Sequence, residues 1–242
     1  MKLKKLLRKI PFLEKERRNL NNENRRIDWV KEQLSSLEPN STILDAGCGE
    51  QQFRKFCKHL KYYSQDFGQY TRDERKTLAL GKGDESYKYQ YGKLDYVGNI
   101  WSIDEKDSSF DAILCTSVFE HILYPIQTVK EFNRLLVKNG VLILTLPSNC
   151  LRHLDPYFYY SGFSDRWLSA ILREKGFEIE SIEPVGDYYS WLKIEIARTA
   201  LTHGWLAKLL LFPAFLYFRF KKPTEESINT LCGSYHVVAR KT

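Results

Sequence analysis

The sequence predicts an α/β fold: a mostly parallel, doubly wound sheet with helices on both faces. Three observations carry this expectation. From residue 42 onward apolar strands and amphipathic helices alternate almost to the end of the chain, and such alternation folds into a parallel sheet. The first strand runs into a glycine turn, Gly47-Cys48-Gly49, at the kind of strand end where open α/β sheets bind ligands. The chain has 242 residues, 43% hydrophobic and 28% charged, which suits one sizeable domain and excludes a disordered or fibrous chain.

The elements follow in order. Leu3, Leu6, Leu7 and Ile10 have the i, i+3, i+4, i+7 spacing of a short amphipathic helix with a basic opposite face, ended by Pro11. Ile27, Val30, Leu34 and Leu37 repeat that spacing, and Pro39-Asn40-Ser41 breaks the second helix. Residues 42–46 form a buried strand, 53–59 a helix, and 61–65, 94–98 and 110–115 further strands. Residues 126–137 form a helix closed by Lys138-Asn139-Gly140. Residues 141–146 form a continuous apolar strand, stopped by Pro147. A helix over 167–174 ends at Gly176, and strands follow over 177–182 and 235–240. Two stretches, 67–93 and 187–233, break the alternation. Long insertions of this kind are usually lids, substrate surfaces or docking elements.

The formal net charge is +7. Residues 1–26 hold ten basic and three acidic residues and so account for all of it. Nucleic acid is therefore not expected as a partner, because the body of the protein has no built-in basic excess. The chain divides into a basic, helical N-terminal extension, 1–40, and a domain, 41–242, with an apolar and basic insertion at about 187–233. Five scattered cysteines without CxxC spacing argue against a zinc or disulfide framework and for a reducing compartment. The N-terminus lacks the apolar core of a signal peptide. No stretch reaches the roughly 18 apolar residues of a spanning helix.

The glycine turn sits in Asp45-Ala46-Gly47-Cys48-Gly49-Glu50. Glycines there let a ligand approach the backbone, and a helix N-terminus after them supplies free N–H donors. Asp66 lies 21 residues after Asp45, at the end of the second strand, where a carboxylate can accept from both hydroxyls of a ribose. The pyrophosphate fingerprint G-x-G-x-x-G is not met, since its last position is Gln52. An acid just before the glycines suits a ligand carrying an ammonium group. That favours S-adenosylmethionine (SAM) over a nicotinamide dinucleotide.

Ile43-Leu44-Asp45-Ala46-Gly47-Cys48-Gly49 resembles the first motif of class I SAM-dependent methyltransferases. Residues 109–115 followed by Val118-Phe119-Glu120-His121 resemble that family's fourth strand and the segment after it. Glu131-Phe132-Asn133-Arg134-Leu135-Leu136-Val137-Lys138-Asn139-Gly140 resembles its E-x-x-R-x-L-K-P-G-G turn. The likeness runs from about residue 43 to 182 and resumes at 235–241. It is nearest to the type 11 methyltransferases found beside glycan and cell-surface polysaccharide genes. The resemblance implies a Rossmann-like, seven-stranded sheet with an antiparallel last strand, and SAM as cofactor. It implies that Asp45, Gly47, Cys48 and Gly49 shape the pocket for the methionine part, and that Asp66 holds the ribose. Asn99 and Ile100 would stand near the adenine, and Cys115 and Thr116 beside the sulfonium. Asn99 stands where the family usually has an acid, Gln51 where it has a third glycine, and Asn139 where proline or glycine is usual.

Methyl transfer is an in-line displacement that depends on proximity and alignment, and a base helps when the acceptor is a hydroxyl. His121, close behind the fourth strand, is a candidate base, substrate contact or satisfied structural histidine. His153 and Asp155 lie in a polar and aromatic segment, 149–160, after the fifth strand and are a candidate base pair. That segment suits a sugar ring and also suits simple packing. Glu183, Asp187 and Tyr188-Tyr189 would border an acceptor pocket or form a solvated turn. Residues 196–224 contain five basic residues, no acidic one, and a dense set of Leu, Phe, Trp and Tyr, as an interfacial element on an anionic membrane requires.

The expected function is methylation of a hydroxyl on a glycan, lipid-linked or small-molecule acceptor. Transfer is direct and without a metal, in a cytoplasmic enzyme docked peripherally on the inner membrane face. Two other classes stay open on sequence: an NAD-dependent oxidoreductase, and a catalytically silent methyltransferase-like scaffold that docks on membranes.

Overall fold

The computed structural model describes residues 23–70 and 90–242. The helix expected around Leu3–Ile10 and the tyrosines Tyr87 and Tyr89 lie outside the described residues. The described chain begins with helix α1 (Glu23–Ser35) and strands β1 (Thr42–Ala46), β2 (Lys61–Asp66), β3 (Tyr96–Val97) and β4 (Phe110–Thr116). Helix α2 (Pro125–Leu135), β5 (Leu136–Pro147), α3 (Asp165–Glu174) and β6 (Phe177–Val185) follow. Helices α4 (Tyr188–Thr202), α5 (Gly204–Phe220) and α6 (Glu225–Thr230) precede the last strand, β7 (Ser234–Lys241).

The strands form one seven-stranded sheet in the order β3-β2-β1-β4-β5-β7-β6. β1 runs parallel to β2 and β4, β2 to β3, and β4 to β5. β7 slots antiparallel between β5 and β6. The central strands read as unbroken apolar runs because both sheet faces are covered. On one face Phe119, Val129, Phe132, Leu135, Leu168 and Leu172 pack in one cluster with Leu44, Ile113 and Leu144. On the other, Val30 and Leu34 of α1 pack with Ile43, Phe53, Leu114 and Ile143. The stripe read from the sequence thus places α1 on the sheet. Burying Val30 and Leu34 contributes roughly 1.5–3 kcal/mol each.

Three expectations are corrected. The helix over 53–59 is only a 3₁₀ turn, Arg54–Phe56. Gly47, Gly49 and Gln51 all take positive φ, so the chain is still turning at residue 51. The segment before β2 makes only this single turn, with Phe53 and Cys57 buried against α1 and the sheet. The glycine loop is therefore not followed by an α-helix N-terminus. Next, α2 stops at Leu135, because the buried Leu136 already pairs with Phe110 of β4. Lys138-Asn139-Gly140 forms an irregularity inside β5, with Asn139 at φ +62°. Last, Asp187 is no pocket-bordering or solvated residue. It is 2% exposed, accepts from Tyr189 N and Ser190 N at the start of α4, and accepts from Ser227 Oγ of α6 at 3.0 Å.

Candidate functional site

The C-terminal ends of β1, β2 and β4 meet at the glycine loop. Asp45, ending the apolar run of β1, is 1% exposed. Its Oδ2 accepts from Tyr62 Oη at 2.6 Å. Burial pushes its carboxyl up to about 7; the Tyr62 bond opposes this and the charge of Asp66 adds to it. Gly47 N and Cys48 N both donate to Gln65 O at 2.9 Å. Gly49 N donates to Asp66 Oδ2 at 2.9 Å, and Gly68 N to Asp66 Oδ1 at 3.1 Å. Gln65 Nε2 reaches Gly98 O at 2.8 Å. The ends of β1, β2 and β3 are so tied into one rim.

Gly47 has φ +72°, and a Cβ there would lie 2.6 Å from both methyl groups of Val118. The loop after β4 therefore rests directly on the glycine backbone. Gln51, also left-handed at φ +57°, donates from Nε2 to Lys93 O at 2.9 Å and accepts from Arg54 Nη1 at 2.8 Å. Its side chain holds the segment before β3 against the loop, which a glycine could not do. Cys48 is buried, and burial first, then the charges of Asp45 and Asp66, raise its thiol far above the ordinary range. Asn99 is exposed beyond β3, and Ile100 is buried. Thr116 is half-buried at the end of β4, whereas the Cys115 side chain sits wholly inside the apolar core.

We expect Gln51→Gly to leave thermal stability within about 1 kcal/mol. Relief of the left-handed strain, roughly 1–2 kcal/mol, offsets two lost hydrogen bonds of about 1 kcal/mol each. Trypsin should nevertheless cut after Lys93 faster, because its carbonyl loses its anchor. An unchanged cleavage rate would refute the anchoring role.

The second cluster lies beyond the ends of β4 and β5. A 3₁₀ turn, Phe119–His121, buries Phe119 and Glu120. Tyr159 N and Tyr160 N donate to Glu120 O at 2.9 and 3.2 Å, which holds the loop after β5 onto this turn. His121 Nδ1 lies 2.6 Å from Tyr157 O, and His153 Nδ1 lies 2.8 Å from Leu151 O. The two Nε2 atoms face each other at 3.2 Å. Burial, more than it is opposed by the Tyr157 carbonyl, pulls His121 down to about 4, and His153 adds to the drop. Burial pushes the Glu120 carboxyl up to about 7. The expected pairing of His153 with Asp155 is replaced by two others. His153 faces His121, and Asp155 Oδ1 accepts from Arg152 Nε at 2.7 Å. Two residues apart on an irregular loop, the His153 and Asp155 side chains diverge.

Aromatic rings close the space between the loops. Phe67, Tyr70 and Tyr157 pack edge to face, with centroids 4.7–5.4 Å apart. Tyr157 Oη donates to Gln69 Oε1 at 3.0 Å, linking the loops after β2 and β5. A cavity of about 620 Å³ opens between the starts of α2 and α3, lined by Leu123, Tyr124, Tyr160, Phe163 and Trp167 among others.

Residues 44–144 match the family model for a methyltransferase domain. The chain carries a methyltransferase domain over that segment. No curated protein matches the chain in sequence. Among solved structures, a SAM-dependent methyltransferase from Methanosarcina mazei is similar at 17% identity and TM-score 0.50, covering 86% of this chain and 95% of its own. A geranyl diphosphate methyltransferase, solved with GPP and sinefungin, is similar at 12% identity and TM-score 0.54, covering 91% of this chain and 79% of its own. At these identities the likeness is one of fold.

The methyltransferase's own residues fit SAM. Each Asp66 oxygen takes one backbone N–H and keeps a second lone pair, enough for two ribose hydroxyls. Two carboxylates beside a loop with no Cβ at Gly47 and Gly49 suit a close, cationic ligand. This donor set favours SAM over a pyrophosphate-bearing dinucleotide.

Several residues of the methyltransferase site escaped sequence reading. Tyr62 bonds Asp45 from the neighbouring strand, and Gln65 bonds both the glycine loop and Gly98. Their signal was only pairing register: Asp45 sits opposite Ser64, and Ala46 opposite Gln65. Arg26 of α1 donates to Ser117 Oγ at 2.5 Å, a contact across 91 residues that no local pattern announces.

Proposed function

We propose that this methyltransferase transfers the methyl group of SAM to a hydroxyl of a glycan or lipid-linked acceptor at an anionic membrane surface. The observation that carries the membrane placement is the α4–α5 hairpin. Trp205 is 76% exposed, Leu209 63%, Leu210 68% and Phe220 76%, and Lys208, Lys221 and Lys222 lie among or beside them. Such apolar surface is costly in water, and the basic groups match anionic headgroups. Among the described residues no helix is long and apolar enough to cross a membrane, so the hairpin would lie on the surface.

SAM, when bound, supplies a methyl group activated by its sulfonium. Asp66 would hold the ribose and Asp45, Gly47, Cys48 and Gly49 the methionine part, with Asn99 and Ile100 at the adenine and Thr116 and the Cys115 backbone at the sulfonium side. The acceptor would enter between the loops after β4 and β5, against Phe67, Tyr70 and Tyr157. His121, Asp155 and His153 stand on that side.

Flotation of the full chain with phosphatidylglycerol vesicles tests the placement. Binding is expected at low salt, with a fall of tenfold or more for Leu206→Glu/Leu210→Glu and a loss at high salt. The same vesicles carrying a lipid-linked glycan should take up label from methyl-labelled SAM. No binding at low salt would sink the reading.

A further inference from the structure

We propose that Glu120, His121 and His153 form a binding site for one divalent transition-metal ion. The argument starts from protons. Tyr157 O and Leu151 O are carbonyls and can only accept, so both Nδ1 atoms donate to them, at 2.6 and 2.8 Å. In the neutral rings each Nε2 then carries a lone pair and no hydrogen. The structure brings these two Nε2 atoms to 3.2 Å of one another, an approach that is repulsive between two lone pairs unless a cation bridges them. Two nitrogens bound at 2.0–2.1 Å to a tetrahedral ion stand about 3.3 Å apart, close to what is found.

Glu120 supplies the independent observation. Its side chain is 4% exposed, its Oε1 lies 3.9 Å from His121 Nε2, and its Oε2 is buried without a hydrogen-bond partner. A buried, unpartnered carboxylate oxygen costs free energy that a ligand must offset. A proton shared by the two imidazoles would leave that oxygen orphaned. A metal ion meets all three groups, whose ligand atoms lie within 4.8 Å of one another. Arg26, whose charge also reaches Glu120, is bonded to Ser117 Oγ.

The surroundings are those of a metal site. Carbonyls fix both rings from behind, as outer partners of metal-bound histidines do. Two imidazoles and one carboxylate select Zn²⁺, Co²⁺ or Mn²⁺ over Mg²⁺, which takes oxygen ligands. Three protein ligands leave a coordination position open, the arrangement of catalytic rather than structural sites. His153 is only half-buried, so the site can be reached from solvent. Resting on the hydroxyl reading above, that position would take the acceptor oxygen and lower its pKa. Such a site would depart from the metal-free transfer expected from the sequence.

Chelator-stripped full-length protein, titrated with Co²⁺ and followed by visible absorption, tests the site without any acceptor. One ion per chain is expected, with d–d bands displaced by Zn²⁺. His153→Ala and Glu120→Gln should each weaken Co²⁺ binding at least tenfold. Calorimetry with SAM, unchanged within about threefold for His153→Ala, reports that the variant is folded. Absence of stoichiometric binding, or binding that survives in both His153→Ala and His121→Ala, overturns the site. Failure of the hydroxyl acceptor would leave the Co²⁺ spectrum in place, so the two outcomes are distinguishable.

Discussion

Gly47→Ala is expected to weaken SAM binding by roughly 30- to 1000-fold, equivalent to about 2–4 kcal/mol. Two costs add. Left-handed backbone costs an L-residue about 1–2 kcal/mol, and Gly47 sits at φ +72°. The new methyl group would also lie 2.6 Å from both Val118 methyl carbons, far inside van der Waals contact. Val118 packs against the main core, and the turn carrying Glu120 and His121 follows it. Moving it disturbs the acceptor side as well as the cofactor loop. Gly47→Ala/Val118→Ala should recover the steric part and not the backbone part, so the pair should be non-additive by about 1 kcal/mol or more. Calorimetry with SAM on the three variants measures this directly. Wild-type affinity in folded Gly47→Ala protein would remove the close approach from the binding argument.

What could be read from the sequence follows from the reach of each signal. Glycines at 47 and 49 announce a turn because few other residues tolerate positive φ, and both take it in the structure. The α1 stripe of Val30 and Leu34 announces burial because helical spacing gathers one face. The helix expected over 53–59 is reduced to one 3₁₀ turn, Arg54–Phe56, because tertiary packing buries Phe53 and Cys57 in the second core cluster, a contact that local spacing does not encode. The His153–Asp155 pairing failed because proximity in a loop says nothing of direction, and Arg152 is the nearer partner in space. The facing of His121 and His153 spans 32 residues and depends on carbonyls of residues 151 and 157. No periodicity encodes such a contact. Glu120 was visible beside His121, but its missing partner is a property of packing alone.

The Glu131–Arg134 motif gives the largest expected effect on stability. Arg134 donates to both Glu131 oxygens at 2.8 and 2.9 Å, to Asp107 Oδ1 at 2.7 Å, and to the carbonyls of Glu105 and Ile103 at 2.8 and 3.1 Å. Glu131 Oε1 also accepts from Ile103 N at 2.7 Å. The pair clamps the connection between β3 and β4 onto α2. Its family signature therefore reports a fold constraint rather than a contact with the reacting groups. Arg134→Met leaves the 9% exposed Glu131 short of its cation and two carbonyls short of their donors. A loss of about 3 kcal/mol is expected, or roughly 6–12 °C in Tm for a chain of this size. Burial pushes Glu131 up, but Arg134 and Ile103 outweigh it and hold the carboxyl below its ordinary value. A depressed carboxylate stabilises the fold above its unfolded pKa and loses that stabilisation as pH falls through the folded one. The Tm gap between parent and variant should therefore shrink in acid below about pH 4. Glu131→Leu/Arg134→Met should regain part of the loss, since removing both partners leaves no buried charge unpaired. Parent-like melting of Arg134→Met at pH 7 would refute the clamp. The clamped segment begins at Ile103, close behind Asn99 and Ile100, so SAM affinity should weaken in the variant even where its fold persists. The motif would then act on the cofactor through backbone placement alone.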